Sequence, residues 1–222
     1  MMRESSPRAA MTSLPRHRRE RAGGGDPDGN ERLTALTGAV LLVLFAAEGV
    51  TILRLRDLLT LHFFLGMLLL GPVALKIGST LYRFTRYYAG SAAYVRKGPP
   101  APLLRLLGPM VVLTSLAVLG TGVVLAVTGP GNGQWLFLHK ASFVLWFGCM
   151  TIHVLAHAPR LPRLLAGSAD RTRRALDSGR LRWLLLAAAL GAGLVIALLT
   201  MHLSARWGVG PATAIPRGAR RA

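Results

Sequence analysis

Five of the six histidines fall within or at the edge of long apolar runs, at His62, His139, His153, His157 and His202, while His17 lies in a basic tail. An ionisable side chain at membrane depth is costly, so each is a functional candidate by default. His139 and His153 are fourteen residues apart, about four helical turns less 40° and a rise of roughly 21 Å, so both imidazoles project from one helix face near opposite membrane surfaces. The second apolar run repeats the interval with His62 and Lys76. Two parallel helices with this spacing would bring His62 level with His139 and Lys76 level with His153. The chemistry implied is axial ligation: two imidazoles meeting across one planar ligand at the outer level, and a lysine–histidine pair at the inner one. Gly66, one turn below His62, leaves room for a flat ring, although small residues also serve plain helix packing in membranes.

These positions need helices that cross a bilayer, and the composition supplies them. The chain has 222 residues, 52% of them hydrophobic and only 16% charged, with a mean hydropathy of +0.43. An ordinary soluble domain carries about 25% charge. Five apolar segments, near 33–53, 59–82, 103–128, 135–157 and 183–204, are each long enough to span a hydrocarbon core of about 30 Å. Without water to satisfy backbone amides, each is expected to be a helix. The expected fold is an all-α integral membrane protein, a four-helix transmembrane bundle of haem-binding type plus a fifth transmembrane helix. Residues 1–31 read as a disordered basic cytoplasmic tail, 32–204 as the five-helix domain and 205–222 as a short basic C-terminal tail. The first segment is too long for a signal-peptide core and has no convincing cleavage site, so it is expected to be retained.

The formal charge of +18 is divided by these spans. Nineteen basic residues fall on one side: seven up to Arg32, five from Arg83 to Arg105 and seven from Arg160 to Arg182. Seven fall on the other, and Lys76 lies within a span. The positive-inside bias then puts the N-terminus in the cytoplasm and the C-terminus outside, against a dissenting Arg-rich C-terminal tail. The excess charge is accounted for by orientation and contact with anionic lipid. No recognition module accompanies the arginines, so nucleic acid is not an expected partner.

The segments LHFFLGMLLLGPVALKIGSTLYRFTRYYAG and WLFLHKASFVLWFGCMTIHVLAH carry a resemblance to the membrane b-type cytochromes, the class that includes the cytochrome b subunits of bacterial formate dehydrogenases and hydrogenases. The resemblance covers about residues 33–204. It implies non-covalent haem b held by paired imidazoles, with electrons passing between a redox partner subunit and the quinone pool. His62 and His139 would be the axial ligands of an outer haem, and His153 or His157 would ligate an inner one. The pattern departs at Lys76, which stands where a second histidine of that helix would be needed and whose ammonium can snorkel to the interface. One haem b is therefore expected, and Lys76 argues against a second.

Other residues have simpler readings. His157 sits at a helix end, where the dipole favours it, and His202 belongs to no repeat. Glu48 is the one carboxylate inside a span; it is read as a partner for Arg54 or Arg56 before a proton relay, and those arginines could equally face haem propionates. The tryptophans lie mostly near span ends, as interfacial anchors do. Residues 80–88, TLYRFTRYY, read as an aromatic and basic interfacial belt, and Cys149 as packing material. One cysteine excludes intramolecular disulfides, thiolate zinc clusters and covalent haem attachment through CxxCH. With no phosphate loop, HExxH, GxSxG or paired carboxylates, the chain has no hydrolase or transferase motif. The rival readings are a haem-free membrane scaffold that binds a partner through its basic loops and, more weakly, a proton-linked transporter using Glu48 and Lys76.

Overall fold

The computed structural model describes residues 27–96, 102–157 and 176–207. Helix α1 (Pro27–Leu53) is followed by α2 (Leu55–Tyr88), the short α3 (Ala92–Val95), α4 (Pro102–Thr128), α5 (Gly133–His157) and α6 (Leu176–Thr200), which continues as a 3-10 segment, Met201–Trp207. No strand occurs among the described residues. Five helices are long and apolar enough to cross a membrane, over Asn30–Leu53, Leu55–Tyr88, Arg105–Thr128, Gly133–His157 and Arg180–Trp207. The chain is thus an all-α, multi-pass membrane fold. Its outer faces are apolar, with Val43, Leu106, Val144 and Leu199 each about 70% exposed where lipid tails would lie.

Four of the five spans match the expected segments within a few residues. The second is longer. Its first turn, from Leu55, is separated from the helix proper by Leu58, whose φ of −110° and ψ of 17° are non-helical. The chain turns sharply there, since the Arg54 carbonyl accepts from the amides of both Asp57 and Leu58. At the other end α2 runs past the expected limit at 82 and stops at Tyr88. Gly90, with φ of +74°, supplies the left-handed residue that closes it. The amides of Ser91 and Gly90 donate to the carbonyls of Arg86 and Tyr87, the paired bonds of a Schellman motif. Most of the predicted tail 1–31 lies outside the described residues, although α1 already begins at Pro27. The loop 158–175 and residues 208–222 also lie outside them.

Helix α2 is the centre of the packing, with α1 on one side and α6 on the other, while α4 and α5 pair closely with each other. Leu41, Leu69 and Val73 form one buried cluster, and Met67, Ala126 and Ala197 form a second that ties α2 to α4 and α6. The α2–α6 approach is the tightest. Pro72 has no amide to donate, so the carbonyl of Leu68 loses its intrahelical partner. Gly193 of α6 crosses at that carbonyl, and Gly71 of α2 meets the carbonyl of Ala189; a Cβ added at either glycine would collide with backbone. Small residues at such a crossing let two backbones touch, as van der Waals packing in a membrane requires. The fifth span is therefore held against α2 as closely as α1 is, rather than set beside a four-helix bundle.

Polar side chains join the remaining helices. Lys76 Nζ donates to the carbonyl of Thr34 at 2.6 Å, and Asn30 and Thr34 of α1 both bond to Ser79 of α2. Trp146 Nε1 of α5 donates to Ser115 Oγ of α4 at 3.0 Å, and Thr121 bonds to Ser142 across the same pair.

Gly71→Ala is expected to destabilise the protein by about 1–3 kcal/mol or more through overpacking. Gly78→Ala, with open space around the added methyl, should be neutral. Reversible unfolding in mixed micelles measures both, and equal stability of the two variants would refute the close crossing.

Candidate functional site

The kink at Leu58 sets the rotation of α2, and one turn later His62 faces α1. Its Nδ1 lies 2.9 Å from Glu48 Oε1 and 3.0 Å from Thr51 Oγ1. Thr51 donates its own hydroxyl proton to the carbonyl of Glu48 at 2.6 Å, so it faces His62 as an acceptor. Two acceptors converge on Nδ1, which therefore carries the proton. A ring with a single proton then has its lone pair on Nε2.

His139 reaches the same arrangement from different elements. Asn132 accepts from the Trp135 amide at the start of α5, and His139 follows one turn later, facing α4. Its Nδ1 is 3.1 Å from the carbonyl of Val118 and 3.3 Å from Thr121 Oγ1. A carbonyl only accepts, so Nδ1 again carries a proton. The ring lies against Gly122, where an added Cβ would sit 3.1 Å from Cε1. Among the described residues neither Nε2 makes a hydrogen bond.

The two rings meet. Their centroids are 6.5 Å apart with planes at 72°. With metal–imidazole bonds of about 2.0–2.1 Å, rings on opposite sides of one metal have centroids roughly 6–6.5 Å apart. Metal-binding histidines generally direct their other ring nitrogen to a carboxylate or a backbone carbonyl, and here one has each. A cavity of about 480 Å³ adjoins both rings, between the α1–α2 and α4–α5 pairs. Its wall is almost wholly apolar, including Phe45, Phe63, Met67, Val118, Phe143 and Trp146, with Gly49, Gly66 and Gly122 keeping it open. That size falls within the roughly 300–1,000 Å³ of small-molecule and cofactor sites.

No cluster of three His, Cys, Asp or Glu able to hold a metal ion exists among the described residues. Two imidazoles therefore fit a metal that brings its own equatorial donors better than a bare ion. The residues present fit haem b in that respect: a pair of imidazoles from different helices, with an apolar chamber beside them.

The other sequence candidates lie elsewhere. His153 does not line the cavity; its ring stacks on His157 at 4.4 Å, and its Nδ1 is buried without a hydrogen bond. Lys76, expected level with it, is committed to α1, where Gly38 leaves space for the amine beside the Thr34 carbonyl. His202 is exposed, with Nδ1 on the carbonyl of Leu199. Trp207, in the 3-10 segment, lines the cavity. Glu48 pairs with His62 rather than with Arg54 or Arg56, because those arginines follow the end of α1 on its exposed surface while Glu48 faces α2 one to two turns earlier. Thr51, Val118 and Thr121 were not among the sequence candidates. Thr51 lies three residues after Glu48, hence on its helix face, and is the one of the three that spacing could have found.

Glu48→Ala removes an acceptor from a half-buried N–H and should destabilise the protein by about 1 kcal/mol, with a smaller loss for Thr51→Val, which leaves Glu48 in place. Unfolding in micelles measures the order, and a Glu48→Ala variant as stable as the parent would contradict this account of His62.

No protein-family model, curated protein or solved structure matches the chain, so the site is to be judged by its own donors, acceptors and shape.

Proposed function

We propose that this protein is an integral membrane b-type cytochrome that holds one haem b between His62 and His139. It acts as an electron carrier or as the membrane anchor subunit of an oxidoreductase, between a redox partner and quinone. The observation that carries the reading is the paired presentation of two imidazoles, each with Nδ1 held by an acceptor and Nε2 unbonded, at a centroid separation of 6.5 Å. When bound, haem supplies reversible one-electron chemistry, which the polypeptide itself lacks.

The chain's own residues have three tasks. Glu48, Thr51 and the Val118 carbonyl hold the rings in one tautomer and orientation, raising the donor strength of Nε2. The aromatic and aliphatic walls exclude water, which together with those hydrogen bonds is a lever on haem potential. Gly66 and Gly122 keep side chains out of the chamber. A second haem is not part of the proposal, since Lys76 is bonded to Thr34 and His153 is stacked on His157, outside the cavity. The distribution of basic residues supports a cytoplasmic N-terminus and an external C-terminus in the cell membrane.

The purified protein should show a reduced-minus-oxidised haem b spectrum at one haem per chain. The His62→Ala, His139→Ala double variant should lose it while retaining its helical content. Colourless wild-type protein from haem-supplied cells would support the haem-free scaffold instead, and two haems per chain would require a second ligand pair.

A further inference from the structure

Four helices wall the cavity in the order α1, α2, α4 and α5, and three of its four sides are closed. Leu41, Leu69 and Val73 seal α1 to α2, Met67 and Ala126 seal α2 to α4, and the Trp146–Ser115 bond fastens α5 to α4. The fourth side, between α5 and α1, is different. These two helices make no extended contact, and among the described residues no hydrogen bond joins the parts of them that line the cavity. Leu42 of α1 and Phe147 and Leu155 of α5 belong to the cavity wall yet are 44%, 59% and 67% exposed. A residue can do both only at an opening. Leu42 and Phe147 lie near the middle of their spans, so the opening faces hydrocarbon rather than water.

A ring contact spans this side. Phe45 and Trp146 meet with centroids 4.8 Å apart and planes at 59°. Trp146 is the fixed partner, 8% exposed with its indole N–H held by Ser115 Oγ at 3.0 Å. Phe45 is half-buried and has no hydrogen bond to lose. It lies about one turn from Glu48, and Trp146 lies two turns from His139, so the ring pair stands between the histidine level and the exposed lower wall. A macrocycle cannot pass a closed ring pair, but rotating Phe45 about its two side-chain bonds clears the way without breaking a backbone contact. Other routes cost more. The packed seams would have to separate, and the outer end is lined by Leu55 and Leu59 of the α1–α2 turn and by Trp207.

We propose, on the basis of the haem reading, that the chamber is loaded from the bilayer through the α1–α5 side, with Phe45 acting as a latch against Trp146. The opening is assigned to haem b because it leads to the paired imidazoles, and because a porphyrin with apolar faces dissolves in the phase that the opening meets. An aromatic pair adds only modestly to the area it buries, so the latch slows exchange without preventing it.

Uptake of hemin by the full-length apoprotein in lipid vesicles, followed by Soret absorbance, and release to excess apomyoglobin measure the two directions. Phe45→Ala should accelerate both by about three- to tenfold, because a latch lowers one barrier for entry and exit. Ala46→Trp, which adds bulk at the opening, should slow both. Leu41→Ala, which loosens α1 on its α2 side, should accelerate neither. Unchanged rates in Phe45→Ala, faster release alone, equal acceleration in Leu41→Ala or parent-like exchange in Ala46→Trp would overturn the route while leaving the haem site standing. A parent protein that takes up no hemin would overturn both. If Phe45→Ala fails to fold, Phe45→Leu decides, because it keeps a large apolar side chain and removes the ring contact: parent-like uptake refutes the latch.

Discussion

A helix in hydrocarbon has no water to satisfy its polar groups, and the whole arrangement of this protein follows from that constraint. Hydroxyls within the spans turn back onto their own helices, as Thr37 does to Leu33 and Thr114 to Met110, or bridge to a neighbour, as Ser115 does to Trp146. Lys76, the one cation deep in a span, reaches a carbonyl of α1. Most of the fold is a set of local solutions to one problem. Against that background the histidine pair stands out, because two rings from different helices meet beside one apolar cavity.

The same constraint explains how the site is positioned. Helices in lipid gain nothing from hiding apolar side chains from one another, so their spacing is decided by how closely surfaces fit. At the α2–α6 crossing, Pro72 frees a carbonyl, and Gly71 and Gly193 remove the side chains that would hold the backbones apart. At the α1–α2 contact, Gly38 and the polar clamp around Ser79 act similarly. The α4–α5 pair is tied by its own hydrogen bonds and meets the other helices less extensively. The cavity lies where two internally well-fitted groups fail to fill the space between them, and His62 and His139 face it from opposite sides.

Much of this was legible in the residues. Five apolar runs predicted five helices, and the fourteen-residue intervals placed His62 and His139 at one level, which the chain then brings within ring contact. The same intervals predicted Lys76 level with His153, and here spacing could not say more. Lys76 turns to α1 and His153 to His157, because direction around a helix axis depends on what each neighbour offers. Glu48 was read as an arginine partner on proximity in sequence, yet it lies beside His62, since α1 and α2 fold back through a sharp turn at Arg54–Leu58. The length of α2 was underestimated because charged and aromatic residues after 82 end a hydropathy run without ending a helix; the end is set by Gly90.

The sequence by itself determined the class of fold, the number of spans and which ionisable residues share a membrane depth, because hydropathy and helical rise are properties of short stretches of chain. Tertiary structure decided which nitrogen of each histidine is free, which carbonyl receives Lys76 and where a cavity remains. Those outcomes depend on the rotation and separation of helices distant in sequence. These are set by backbone contacts at a few glycines and a proline, whose effect no single segment contains.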